Sequence, residues 1–295
     1  MLKDFLKGTL KDFFVVTKFV LSFAVSLSAL FAYIMAKGEL GFDMVLATFS
    51  VLLVAMGVST LNQVQEYKED SKMERTKNRP IAAGRMSPRT GYIISGVLIF
   101  LSMVLIYDLL GLTGVNFFMF AFIWYNAMYT PLKKKSALAV VPGAILGVIP
   151  PAIGWMVAGE SLLTLDFIAL ALYFFIWQVP HFWLLVMLFH GDYKDGGYPT
   201  AMRLFGQASL QRLTFVWLVF TIQAGVFLVS VFEPYMATII LSSLIGIWAF
   251  ISSLELLQEK FQLRNARSVF WKINAAFLGI IILLSIDEYI KHHIS

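Results

Sequence analysis

Nine apolar runs of about bilayer-spanning length, ~20 residues each, divide this chain and decide which solvent it can fold in. They cover 13–36, 42–61, 91–110, 115–130, 139–158, 165–188, 213–232, 235–257 and 269–290. Mean hydropathy is +0.78, with 59% hydrophobic and only 14% charged residues. That is too much apolar surface for a water-soluble globule of 295 residues. The expected fold class is therefore all-α, a polytopic membrane protein with nine transmembrane helices.

The connections alternate in character. Those at 37–41, 111–114, 159–164 and 233–234 are short, while 62–90, 131–138, 189–212 and 258–268 are longer and basic. Placing the N-terminus on one side collects Lys3, Lys7, Lys11 and Lys18 there, then seven Lys and Arg between 62 and 90. Lys133, Lys134, Lys135, Lys194, Arg203, Arg212, Lys260, Arg264, Arg267 and Lys272 follow on the same side, leaving Lys37 and Lys291 of 23 on the other. The positive-inside rule makes that side cytoplasmic and puts the C-terminus outside. An error of one span would scramble the asymmetry, so it supports an odd helix count. The first residues, MLKDFLKGTLKDFF, predict an amphipathic interfacial helix leading into span one. No Gly/Ser linker divides the chain, which reads as one domain over 1–295. It has no cysteine, which excludes disulfides, thiolate metal sites and cysteine nucleophiles.

A dense block of charge, NQVQEYKEDSKMERTKNRP from Asn62 to Pro80, sits at the mouth of span two. If the helix continues past Leu61, then Asn62, Glu66 and Asp70 drift only ~80° around one face over ~12 Å. One face then carries an amide and two carboxylates, oxygen ligands that suit Mg²⁺ with water and substrate phosphates completing its octahedron. The same spacing also fits a solvated helix end whose acids pair with nearby Lys and Arg.

Two further polar clusters fall on the same side: YTPLKKK, with Tyr129 and Lys133 four apart, and HGDYKDGGYP, with Asp192 and Asp195 three apart. Acids beside Arg75, Lys77, Arg79 and Lys133 fit a metal-bridged polyphosphate, the cations neutralising the remaining phosphate charge. No glycine-rich phosphate loop accompanies them, which argues against a mononucleotide site. Lys133 to Lys135 also read as a topology anchor. Within span six, IWQVPHFW (176–183) places Gln178 and His181 at membrane depth around Pro180. The histidine there has three readings: a haem-iron ligand, a hydrogen-bond partner of a substrate, or a group that satisfies the carbonyl freed by the proline. Pro142, Gly143, Gly147, Pro150, Pro151 and Gly154 break span five, and suit a cavity wall or close packing. The 15% aromatic content would suit an isoprenoid chain and shield a carbocation.

Together NQVQEYKEDSKMERTKNRPI, YTPLKKK, PGAILGVIPPAIGW and FFIWQVPHFW resemble the UbiA-type intramembrane prenyltransferases, from about Asn62 to Gly206. MERTKNRP and WQxPHFW resemble the haem-prenylating branch of that family. The resemblance implies nine helices around a central cavity, Mg²⁺ as cofactor and farnesyl diphosphate as donor. It implies transfer of the farnesyl group to a vinyl group of haem B, giving haem O. Catalytic roles then fall to Asn62, Glu66, Asp70, Lys133 and Asp192. Substrate binding falls to Arg75, Lys77, Arg79, Tyr129, His181, Tyr193 and Asp195, and metal binding through the diphosphate to Glu66, Asp70, Asp192 and Asp195. The sequence departs from the family pattern at Glu66, where Asp is usual, and at Gly191-Asp192, where an acid pair is usual; Asp195 is the candidate replacement. The implied partners are the lipid bilayer of a bacterial inner membrane and a haem A synthase or terminal-oxidase assembly, with no nucleic acid.

Two rivals remain at this point. A prenyltransferase for a quinone precursor or another aromatic acceptor would share the charged face but not WQxPHFW. A transporter would share broken helices and buried charge, but does not require acids clustered with bases on one face. The orientation can be tested directly, because the chain has no native cysteine. Lys135→Cys is expected to react with an impermeant thiol reagent from the cytoplasmic side and Glu160→Cys from outside, and the reverse pattern would overturn the assignment.

Overall fold

The computed structural model describes residues 2–258 and 262–294, with side chains from Gly8 to Gln258, at Gln262 and from Asn265 to Ile294. Of the basic residues used to orient the chain, Lys260 lies outside the described residues, as do the side chains of Lys3, Lys7 and Arg264. The elements are α1 (Leu2–Val16), α2 (Phe19–Lys37), α3 (Phe42–Asp70), α4 (Pro88–Phe122), a π-helical segment (Ile123–Tyr129) and α5 (Thr130–Leu132). Then come α6 (Val140–Ala144), a 3₁₀ turn (Ile145–Gly147), α7 (Ile149–Val157), α8 (Leu165–Leu188), α9 (His190–Asp195) and α10 (Ala201–Phe205). The last three helices are α11 (Gln207–Phe232), α12 (Met236–Ser253) and α13 (Leu263–Ile294). In hydrocarbon every backbone polar group needs an internal partner, and helices provide one within each span.

Eight helical stretches among the described residues are long and apolar enough to cross a membrane. One of them, Pro88–Leu132, runs for 45 residues, and a single non-helical residue, Gly111 (φ 58°, ψ −144°), splits it. A Cβ built on Gly114 would come within 3.1 Å of the Ile106 carbonyl oxygen. Eight residues of straight helix separate atoms by ~12 Å, so the chain reverses at Gly111 and the stretch supplies two crossings. Among the described residues the structure thus comes close to the nine spans read from hydropathy. The 3₁₀ turn at 145–147 interrupts span five where the prolines and glycines cluster.

The bundle closes on itself. α13 returns to α2, where Ser285 Oγ donates to the Phe31 carbonyl at 3.4 Å and His292 Nε2 lies 3.0 Å from Glu39 Oε1. Large apolar side chains such as Phe100, 67% exposed, face outward because lipid is as apolar as they are. Lipid gives little hydrophobic drive between helices, so close backbone approach and van der Waals packing must hold them together. Gly154 on α7 shows how close: a Cβ there would lie 1.9 Å from the Ala29 carbonyl oxygen of α2. Backbone cannot rotate away from such a clash. Gly154→Ala is therefore expected to cost ~1–3 kcal/mol or more, read as a lower unfolding temperature in detergent. Gly96→Ala meets nothing within 4 Å and should leave it unchanged; equal behaviour of the two variants would refute this crossing.

Candidate active site

At 29 residues, α3 is ~44 Å long, more than the ~30 Å hydrocarbon core, so its last turns reach beyond the membrane. Asn62, Glu66 and Asp70 nevertheless stay buried at 1%, 3% and 1% exposure, along one face. Glu69 points elsewhere and pairs with Lys134 at 2.8 Å. The helical register read from the sequence is thus the register observed.

A buried carboxylate at a membrane edge needs a compensating cation. Lys133 Nζ donates to Glu66 Oε2 at 2.7 Å, and Asn62 Nδ2 donates to the same oxygen at 2.9 Å. Arg79 Nη1 reaches both oxygens of Asp70 at 2.8 Å, while Thr76 Oγ1 donates to the Asp70 carbonyl at 2.9 Å and holds the following turn. Lys133 Nζ also sits over the rings of Tyr129 and Tyr198, 5.6 and 5.9 Å from their centroids. Among the described residues, Glu66 Oε1 is buried without a hydrogen-bond partner. Burial first, then the charges of Glu66 and Glu69, hold the Tyr198 phenol protonated above its ordinary range.

The second acidic stretch meets the first through the loop after α3. The Glu74 backbone N–H donates to Asp192 Oδ1 at 3.0 Å, Arg75 Nε lies 4.0 Å from Asp192 Oδ2, and the Arg75 guanidinium covers the Phe189 ring at 4.8 Å. Tyr193 stacks edge-on against Tyr198 at 6.0 Å, and burial raises its pKa. Two expected residues are not brought in. Asp195, at the end of α9, is exposed, its side chain having no hydrogen bond or ion pair among the described residues, and Lys77 pairs with the exposed Glu74 at 2.6 Å. Both occupy the outward side of a turn whose inward side is taken by Asp192 and Arg79. His181 lies apart from the charged loops, bonded to Asn274 across the bundle at 2.8 Å.

Among the described residues no group of three or more acidic or histidine side chains is gathered to hold a metal. Mg²⁺ needs only one or two protein carboxylates when phosphate oxygens and water supply the rest. The unpartnered Glu66 Oε1, a hard anionic oxygen already out of water, fits such an ion. Glu66 and Asp70 share one face of α3, and Asp192 meets the loop that follows that helix.

Sequence reading missed Lys18. It occupies the break between α1 and α2 in a left-handed conformation (φ 48°, ψ 44°), rare for a side chain with a Cβ, and its ammonium donates to Asn62 Oδ1 at 3.1 Å. Gln63 Nε2 secures the break by donating to the Val15 and Val16 carbonyls at 2.9 and 3.0 Å. The π-helical segment was also unforeseen. It turns Asn126 towards α3, where Asn126 Nδ2 donates to the Val58 carbonyl and Gln65 Nε2 donates to the Asn126 carbonyl. It also presents Thr130 Oγ1 to Asn62 Nδ2 at 3.2 Å. An isolated Asn inside an apolar run was the available signal.

Comparison with known proteins agrees with this geometry. Residues 22–278 match the UbiA prenyltransferase family. A protoheme IX farnesyltransferase of Christiangramia forsetii is 31% identical over 293 residues, 97% of this chain and 96% of that one. One of Flavobacterium psychrophilum is 29% identical, covering 97% of each. One of Oleidesulfovibrio alaskensis is 34% identical over a shorter stretch, 59% of this chain and 62% of its own length. Among solved structures, a digeranylgeranylglyceryl phosphate synthase superposes with a TM-score of 0.76 at 15% identity, covering 96% of this chain and 99% of that one. A UbiA homolog from Archaeoglobus fulgidus bound to DMAPP and Mg²⁺ gives 0.72 at 12% identity, covering 94% and 99%. The spans, their closure into one bundle and the buried acid face on α3 thus have a common explanation: the chain belongs to the UbiA prenyltransferase family.

Proposed function

We propose that this chain transfers the farnesyl group of farnesyl diphosphate to the vinyl group of protoheme IX, haem B, to give haem O. The reaction takes place at the cytoplasmic face of a bacterial inner membrane. One observation carries the donor half: Glu66 is buried with one oxygen on Lys133 and the other unpartnered, beside Asp70 on Arg79. Acids and bases so interleaved, out of water, suit a diphosphate and its counter-ion. The full-length likeness to protoheme IX farnesyltransferases supports the acceptor half.

The chemistry required is cleavage of an allylic C–O bond. Bound at Glu66, Asp70 and Asp192, Mg²⁺ would neutralise charge on the departing diphosphate. Lys133, Arg79, Arg75 and Lys18 add positive charge around the same oxygens, an electrostatic task worth most where water is excluded. When the diphosphate enters, Lys133 and Arg79 exchange their carboxylate partners for phosphate oxygens. Tyr193 and Tyr198, held protonated, offer O–H donors to the same group. The rings of Tyr125 and Tyr129, 5.7 Å apart, lie next to Lys133 where the allylic cation forms, and their faces favour positive charge. A vinyl carbon of the acceptor attacks that cation. Water adds to the cation left on the porphyrin side, and the proton it loses goes to the released diphosphate.

Mass analysis of haem from cells expressing this chain should show haem O. A prenylated quinone precursor with no haem O would refute the acceptor. Within the site, Glu66→Asp should keep substantial activity, since water ligands on Mg²⁺ can absorb a ~1 Å shorter reach. Glu66→Gln should lose at least ~100-fold, because it removes the charge that holds the ion and pairs with Lys133. Asp70→Asn and Asp192→Asn should be at least as damaging, and Glu69→Gln mild. Mg²⁺-dependent farnesyl transfer in purified, folded variants is the measurement; full activity of Glu66→Gln at low Mg²⁺ beside a damaged Glu69→Gln would overturn the assigned face.

A further inference from the structure

Asn126 sits in the π-helical segment five residues before Pro131, and that spacing leaves its backbone carbonyl short of a donor. In a π-helix the carbonyl of residue i accepts from the N–H of residue i+5. The Thr130 N–H accordingly goes to the Tyr125 carbonyl. For Asn126 the residue five positions on is a proline, which has no N–H. Gln65 Nε2, reaching across from α3, takes the vacant place at 3.0 Å.

The Asn126 side chain returns the contact. Its Nδ2 donates to Gln65 Oε1 at 3.1 Å and to the Val58 carbonyl at 3.1 Å, so both amide hydrogens are directed at α3. Among the described residues its Oδ1 is buried without a partner. Flipping the amide would set that oxygen against two acceptors, so the orientation follows from the network. Gln65 thus holds the backbone and the side chain of one residue at once, a two-point clasp between α3 and the span that carries Lys133.

Beyond the clasp the two helices run in the same direction with their partners at a nearly constant offset. Asn126 and Val58 are 68 positions apart, Thr130 and Asn62 are 68, and Lys133 and Glu66 are 67. A slip of one residue would carry the Lys133 Cα ~1.5 Å along the axis and ~100° around it, taking its ammonium off Glu66. The ion pair of Lys134 with Glu69 runs alongside at 2.8 Å, but both side chains are partly exposed and such a pair contributes little. The buried end of the row is Asn126, 3% exposed.

Resting on the donor half of the reading above, we infer that Gln65 and Asn126 are positioning residues for Lys133: their clasp fixes the helix register that sets its ammonium on Glu66 and, once the donor is bound, on the diphosphate. Neither amide has to touch the substrate. Pro131 is part of the device, because by withholding an N–H it makes the placement of this segment depend on a side chain from another span.

The test titrates farnesyl diphosphate with Mg²⁺ into purified full-length protein in detergent, without acceptor, and reads binding by calorimetry, so that variants without turnover are still measured. Gln65→Leu and Asn126→Leu should each weaken binding by about tenfold. Together they should do no more than either alone, because one clasp is lost once. In a Lys133→Ala background, Gln65→Leu should change the affinity by no more than about twofold, since the route through Lys133 is already cut. A role in folding alone would give the same factor in both backgrounds; that result, or wild-type affinity in Gln65→Leu, would overturn the inference. If Asn126→Leu does not fold, the cycle of Gln65→Leu with Lys133→Ala decides by itself, because Gln65 is exposed. An additive cycle in a protein that binds the donor leaves the farnesyl-transfer reading standing. Wild-type protein that does not bind farnesyl diphosphate would end both.

Discussion

A carboxylate can be kept out of water at the end of a membrane helix only if a cation is buried with it. Breaking such a pair by removing one member costs ~3–5 kcal/mol, because the other is left uncompensated. Glu66 with Lys133 and Asp70 with Arg79 are two such pairs, side by side. Much of this end of the molecule is arranged to bring those cations in. The turn after α3 exists to return Arg79 nine residues later onto Asp70. The π-helical segment and α5 carry Lys133 from a different span to Glu66, 67 positions away in sequence. In the proposed reaction a diphosphate offers these cations phosphate oxygens in place of their carboxylates.

The interfacial helix belongs to this arrangement as well. α1 is joined to α2 through Lys18, whose left-handed backbone is held by Gln63 from α3. Asp12 of α1 pairs with Arg85 at 2.9 Å, so the loop after α3 rests on α1 from the other side. Strain of order 1–3 kcal/mol at a non-glycine residue persists only where surroundings over-determine it. Here the result is a lysine delivered to Asn62, inside the site. A helix that reads as a membrane anchor therefore also completes the electrostatics of the acid face.

Deeper in the bundle, polarity is sparse. His181 and Asn274 come from α8 and α13, which meet across the interior. Separation of the charged mouth from this single imidazole matches the two substrates in the proposed reaction. One is a polyanion that needs cations, and the other a flat ring system suited to aromatic faces.

Hydropathy and helical spacing in the chain were enough to find a bundle of about nine membrane-length helices and the face bearing Asn62, Glu66 and Asp70. Those features are periodic and local: a bilayer sets the length of each run, and helical pitch sets which residues share a face. The reversal at Gly111 was visible too, as a short connection between two runs. Lys18, Tyr198 and Asn274 were not legible, because nothing in their neighbourhood in sequence distinguishes them from an anchor, a loop tyrosine and a stray amide. Asp195 and Lys77 had the right chemistry at the right spacing, yet their short turns put them on the outside. Partner choice among buried charges depends on which helices meet and how their ends turn, and only the closed bundle brings residues dozens to hundreds of positions apart within reach of one hydrogen bond.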